Sequence, residues 1–129
     1  MGSQGPVRSA LAPDTVCLGG SGGGVTTVGT RVALASCSGA PTFTLTRAGE
    51  LKVGGNCVAV VAKDGGGVDD AIIGTCTGRP DQQWKFSGEG ALRHVASNRV
   101  LDVPYSSTRK GTTVNAYPLH GSENQRWAF

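Results

Sequence analysis

Residues 114–127 read VNAYPLHGSENQRW, and the same pattern stands twice upstream, as AIIGTCTGRPDQQW at 71–84 and VALASCSGAPTFTL at 32–45. The three stretches have equal length, need no gap, and carry Gly121, Gly78 and Gly39 in register. The segments before them agree as well: CLGG starts at Cys17, CVAV at Cys57 and VLDV at Val100. The first anchor precedes the second by 20 residues for Cys17 and Cys37, and by 19 for Cys57 and Cys76 and for Val100 and Leu119. The ends recur 39 residues apart from Leu45 to Trp84, then 43 apart to Trp127. A period of this size marks a repeat architecture, in which one unit cannot bury its apolar face alone. The units run over about 1–46, 47–87 and 88–129 of a single domain spanning 1–129.

Composition agrees with an all-β reading. Gly is 21 and Pro 6 of 129 residues, and short runs of Val, Thr, Leu and Ile alternate with Gly, Asp, Asn and Ser. That is the pattern of many short strands and tight turns. Four strands per unit are expected; in the third they fall near 91–95, 99–103, 113–117 and 125–129. The middle joints are Gly19 to Gly24, Lys63 to Gly67 and Ser106 to Gly111, all rich in turn residues. Trp84 and Trp127 are expected in the core. Residues 1–6, MGSQGP, lack the basic-then-apolar layout of a secretion signal and are set aside as a tag or linker remnant outside the fold.

The four cysteines, at 17, 37, 57 and 76, form no Cys-x-x-Cys pair and lie far in sequence from His94 and His120. Zinc ligation is therefore disfavoured, and no metal or other cofactor is expected. Of the three possible connectivities, only Cys17–Cys37 with Cys57–Cys76 uses the same two positions in both copies. Two disulfides imply an oxidising, secreted or extracellular setting. The third unit holds Val100 and Leu119 at those positions, read as a buried apolar pair in place of a bridge. The net charge of +3 is mild and its basic residues are scattered, so no nucleic-acid footprint is present. No apolar run reaches the roughly 18 residues of a membrane span, so membrane insertion is not expected.

The repeat length, Gln82-Gln83-Trp84, Gln125-Arg126-Trp127, the cysteine spacing and Leu101-Asp102-Val103 together resemble the ricin B-chain type lectins. The resemblance covers nearly the whole chain. It implies a β-trefoil of three four-stranded repeats with pseudo-threefold symmetry, and sugar binding rather than catalysis. The first unit departs from the pattern, with Phe43-Thr44-Leu45 where the Gln-x-Trp motif would stand.

By that resemblance the sugar-binding residues are Asp102, Asn115, Tyr117, His120, Asn124 and Gln125. Asp102 would accept from two ring hydroxyls, Tyr117 would cover the apolar face of the sugar, and Asn124 would donate and accept. Asn115 lies two residues before Tyr117 on one strand, hence on the same face. Gln125 would brace the loop or Asp102, because Gln82 recurs where no site is expected. Plainer readings stand beside these. Asp102 also suits capping of the Tyr105–Ser106 backbone, Tyr117 suits half-buried packing, and Asn124 suits a turn.

The first two copies lack the set. At the positions of Asp102, Tyr117 and Asn115 they hold Gly19, Ala35 and Ala33, or Ala59, Gly74 and Ile72. One functional site is expected, in the third repeat. It would take a galactose-type sugar by resemblance, with a glycan as partner and a fused or associated catalytic or toxin domain supplying any chemistry. A protein-interaction trefoil with a degenerate site is the alternative. Asp102 with His94 or His120 comes with no nucleophile motif or second paired carboxylate, so an enzyme is not expected.

Overall fold

The short apolar runs between Gly- and Asn-rich joints form thirteen strands among the described residues. A computed structural model describes residues 3–20, 27–62 and 69–129. The strands are β1 (Ser3–Gly5), β2 (Arg8–Ser9), β3 (Val16–Gly20), β4 (Val32–Ser36), β5 (Phe43–Leu45), β6 (Leu51–Val53), β7 (Asn56–Ala62), β8 (Asp69–Gly74), β9 (Trp84–Phe86), β10 (Leu92–His94), β11 (Arg99–Asp102), β12 (Asn115–Tyr117) and β13 (Trp127–Ala128).

Pairing shows the threefold order directly. Three antiparallel runs of four strands have the same composition: β5-β6-β7-β8, β9-β10-β11-β12 and β13-β2-β3-β4. In each, the last strand of one unit pairs with the first strand of the next. Leu45 faces Leu51, Trp84 faces His94, and Trp127 faces Ser9. The last of these joins the C-terminal strand to the N-terminal unit and closes the ring. The third strands of the units meet one another: β8 pairs with β12, and single bridges link Arg31 to Ile72 and Ala33 to Thr113. This is the β-trefoil that the resemblance implies.

The core repeats with the same period. Leu18, Val58 and Leu101 occupy one register position and are all fully buried. So do Leu34, Ile73 and Ala116 one strand further on. The indole N–H of Trp84 donates to the Val58 carbonyl at 2.9 Å, and that of Trp127 to the equivalent Leu101 carbonyl at 3.2 Å. Each large ring thus fills the core while its one polar atom is satisfied. The chain closes tightly beside both rings. Trp84 N donates to the Gly49 carbonyl and Trp127 N to that of Gly90. A Cβ on Gly90 would lie 3.1 Å from the Trp127 carbonyl, and its φ of +90° is one that only glycine adopts readily.

Both disulfides form as paired from the repeat, Cys17–Cys37 and Cys57–Cys76, with Cα separations of 4.9 and 5.0 Å. Two expectations are corrected. Residues 3–5, set aside with the rest of 1–6, belong to the fold: β1 pairs with β5, with Ser3 opposite Leu45 and Gly5 opposite Phe43. The exposed edge of β5 offers free backbone groups, and an extended segment of any composition can satisfy them.

The second correction concerns the position lacking a bridge. Val100 is fully buried but Leu119 is 56% exposed, so the two do not form a buried pair. With no covalent link drawing it inward, the leucine side chain faces water, while the Gln125 side-chain amide brackets the adjoining backbone. Strand ends also shift: the last strand starts at Trp127, and Glu123–Gln125 is a 3-10 turn. The joint at Lys63–Gly67 and most of that at Gly19–Gly24 lie outside the described residues.

Candidate functional site

In each unit the second and third strands place two residues directly opposite one another at the same register. The pair is Gly19 and Ala33 in the first unit, Ala59 and Ile72 in the second, and Asp102 and Asn115 in the third. The scaffold is therefore common to all three, and only the third copy puts polar side chains on it.

Asp102 ends β11 and is only 5% exposed. An isolated carboxylate at that depth would be costly, so it needs donors. They come from the 3-10 turn Glu123–Gln125, which leads into the Gln-x-Trp segment. Gln125 Nε2 donates to Asp102 Oδ2 at 2.8 Å, and Asn124 Nδ2 donates to the same oxygen at 3.2 Å. His120 Nε2 lies 3.6 Å from Oδ2. All three contacts fall on one oxygen; among the described residues none reaches Oδ1. The carboxylate is thus anchored through Oδ2 and has its other oxygen available as an acceptor. Capping of the Tyr105–Ser106 backbone, the plainer reading of Asp102, is not what it does: Ser106 N donates to the Val103 carbonyl instead.

Gln125 has two tasks. Its Oε1 accepts from His120 N at 2.8 Å and Gly121 N at 3.2 Å, and its Nε2 also donates to the Pro118 carbonyl at 2.9 Å. Gln82 makes the equivalent bracket in the second unit, accepting from Thr77 N at 2.8 Å and donating to the Thr75 carbonyl at 2.7 Å. Loop bracing is common to both copies. The bond to a carboxylate belongs to the third alone, because Ala59 stands where Asp102 would.

Asn115 and Tyr117 point to one face of β12, with Ala116 between them buried on the other. Tyr117 is 39% exposed, and its ring lies edge-on to His120 with centroids 6.1 Å apart. His120 Nδ1 accepts from Ser122 N at 3.3 Å, which leaves Nε2 to carry the proton of the neutral ring toward Asp102. Asp102, Asn115, Tyr117, His120 and Asn124 converge on one pocket of about 410 Å³. Gln125 lies behind the carboxylate and borders a neighbouring hollow floored by Val100 and rimmed by Leu119 and Arg126. His94, the other histidine, is spent on structure: it is buried edge-on to Trp84 and bonded to Ser97 Oγ at 2.7 Å and the Asp81 carbonyl at 2.8 Å.

Two lining residues escaped sequence reasoning. Pro104 and Tyr105, from the 3-10 turn after Asp102, border the same pocket. The signal was an aromatic three residues past the carboxylate, between the second strand and the joint that starts at Ser106.

Comparison with known proteins places these features in context. The family model described as the ricin-type β-trefoil lectin domain matches residues 3–127. Nigrin b of Sambucus nigra is 36% identical over 59 residues, which is 46% of this chain and 10% of Nigrin b. The chain therefore spans far less than the length of that relative. A designed threefold-symmetric protein, ThreeFoil, superposes with a TM-score of 0.78 at 24% identity, covering 96% of this chain and 95% of ThreeFoil. The C-terminal half of an earthworm R-type lectin, solved with GalNAc, gives a TM-score of 0.71 at 18% identity, covering 97% and 95% of the two chains. The β-trefoil lectin of a Vibrio vulnificus hemolysin, solved with N-acetyl-D-lactosamine, gives 0.72 at 19% identity, covering 98% and 93%.

Proposed function

Because the chain belongs to the ricin-type β-trefoil lectin domain family, a family of carbohydrate-binding domains, we propose that it binds its glycan at one site, in the third repeat. The observation that carries this reading is the one-sided anchoring of Asp102. Its Oδ2 is held by the Asn124 and Gln125 amides, and Oδ1 is left to accept from a ligand within a pocket walled by Tyr117.

A pyranose presents vicinal hydroxyls on its edges and C–H groups on a face. Asp102 Oδ1 accepts from the hydroxyls in charge-assisted bonds, and the Tyr117 ring covers the apolar face. Asn115 supplies a further donor and acceptor, Asn124 offers its Oδ1 as an acceptor because its NH₂ is taken by Asp102 and the Val103 carbonyl, and His120 Nε2–H offers a donor at the rim. Removing Asp102 takes away the one charged acceptor, which makes it the residue on which affinity depends most. The pocket holds one carboxylate and no nucleophile or metal-ligand set, which suits recognition without turnover.

A galactose-type sugar is the favoured ligand, since the earthworm lectin half is solved with GalNAc and the Vibrio vulnificus trefoil with N-acetyl-D-lactosamine. An open single site of this kind binds at roughly millimolar to high micromolar Kd, about −4 to −6 kcal/mol. The domain would then act as the targeting module of a larger secreted hydrolase or toxin, with avidity supplied by its fusion or by a polyvalent glycan. The disulfides fit that extracellular setting.

Titration of the isotope-labelled protein with galactose, lactose, N-acetylgalactosamine and xylose tests the reading. Shifts confined to residues around Asp102, Tyr117 and Asn124 are expected. No shift in the third repeat at saturating sugar would discard it in favour of a trefoil that docks protein.

A further inference from the structure

Tyr105 has a conformation that its own surroundings do not repay. Its φ is +57° and ψ +22°, followed by Ser106 at φ +52°. This left-handed region is unfavourable for a residue with a bulky side chain, and glycine or asparagine would sit there more easily. No packing offsets the cost, since Tyr105 is 101% exposed. Nor is the loop loose enough to relax. Pro104 fixes the preceding φ. Val103 N donates to the Asn124 carbonyl at 2.9 Å, Ser107 N to the Pro104 carbonyl at 3.2 Å, and the Ser107 and Thr112 hydroxyls meet at 3.0 Å. Strain held in place by a braced loop at the edge of a pocket is the pattern of a ligand clamp.

Its placement says what it would clamp. Tyr117 lies across the ladder from Val100, two positions before Asp102 on β11. Tyr105 comes three positions after Asp102. Both rings border the pocket that holds the carboxylate, Tyr117 from β12 and Tyr105 from the turn that follows β11. With one pyranose fixed by Asp102 and Tyr117, Tyr105 stands beside the neighbouring position.

We propose that Tyr105 is a second stacking residue, which gives the site a further subsite and selects a glycan of at least two pyranose units over a single sugar. This rests on the third-repeat site proposed above. An exposed aromatic held by a rigid turn loses little freedom when it stacks, so most of its contact reaches the affinity.

The test is the ratio of disaccharide to monosaccharide affinity, measured by calorimetry or NMR titration with lactose against galactose and xylobiose against xylose. Wild type is compared with Tyr105→Asn, which relaxes the turn while removing the ring, and with Tyr105→Phe, which keeps the ring. A cooperative melt confirms that each variant folds. Wild type is expected to favour the disaccharide of the binding series by roughly tenfold, the worth of one good aromatic contact. Tyr105→Asn should bring that ratio to about one, and Tyr105→Phe should keep it. A ratio that survives in Tyr105→Asn, is lost in Tyr105→Phe, or is already about one in wild type, overturns the Tyr105 subsite while leaving the monosaccharide site standing. Binding of no sugar by wild type overturns both.

Discussion

Replacing Asp102 with asparagine keeps the shape of the side chain and removes only its charge and one acceptor. The Asn124 and Gln125 amides both donate to Asp102 Oδ2, at 3.2 and 2.8 Å. Each has a second acceptor elsewhere: Asn124 Nδ2 also reaches the Val103 carbonyl at 3.1 Å, and Gln125 Nε2 the Pro118 carbonyl at 2.9 Å. The substituted asparagine will turn its oxygen toward those donors, and its NH₂ then faces the pocket where Oδ1 stood. The fold keeps its hydrogen bonds in neutral form and loses about 1 kcal/mol, the difference between a charged and a neutral acceptor. In a domain of this size that lowers Tm by roughly 4 °C.

The ligand fares worse. Hydroxyls that donated to a carboxylate now meet a donor, and each charge-assisted bond is worth about 1.5–3 kcal/mol. Losing even one costs at least tenfold in affinity, and losing two exceeds about 3 kcal/mol, a large share of the affinity of a weak site. Sugar titration by NMR, paired with thermal unfolding followed by circular dichroism, separates the two effects. Unchanged affinity in Asp102→Asn would refute the acceptor role. A drop in Tm beyond about 10 °C would show that the carboxylate serves the fold first.

Other substitutions divide scaffold from site. Gln82→Ala removes the loop bracket of the second unit and should cost about 1–3 kcal/mol in chemical denaturation, with sugar affinity unchanged. Gln125→Ala should lose a similar amount of stability and weaken sugar binding as well, because only this glutamine also holds a carboxylate. Replacing Cys57 and Cys76 together with alanine opens a loop of 19 residues and should lower unfolding free energy by about 3 kcal/mol in denaturant titration. Leu119→Ser should change stability by no more than about 0.5 kcal/mol, as expected of an exposed side chain; a loss of 2 kcal/mol or more would restore the buried pair expected from the sequence.

What was readable in the sequence was whatever the repeat enforces. A residue at Cys17 must have a counterpart at Cys57 and at Val100, so register alone gave the cysteine pairing. Strand alternation put Asn115 and Tyr117 on one face, while Asp102 and Tyr117 were singled out by the resemblance to the ricin B-chain type lectins. The readings that went astray are those the repeat does not govern. Leu119 takes an apolar position in the alignment, yet with no disulfide to hold it against Val100 its side chain turns to water. Ser3–Gly5 has no counterpart in the other units, and its strand exists because β5 had an edge to fill. Tyr105 lies just before a joint, in a turn whose local chemistry hides what a side chain faces; its place at the pocket needed the folded turn Pro104–Ser106.

The pairing of β13 with β2 leaves the two ends of the chain side by side, and a Cβ on Gly5 would lie 3.8 Å from the carbonyl carbon of Phe129. Any neighbour joined by a linker, whether ahead of the first strand or behind the last, is moored at the same spot on the surface. The order of modules along a polypeptide thus drops out of the geometry. A companion encoded upstream and one encoded downstream would sweep the same region of space around the trefoil, and linker length alone would set their reach.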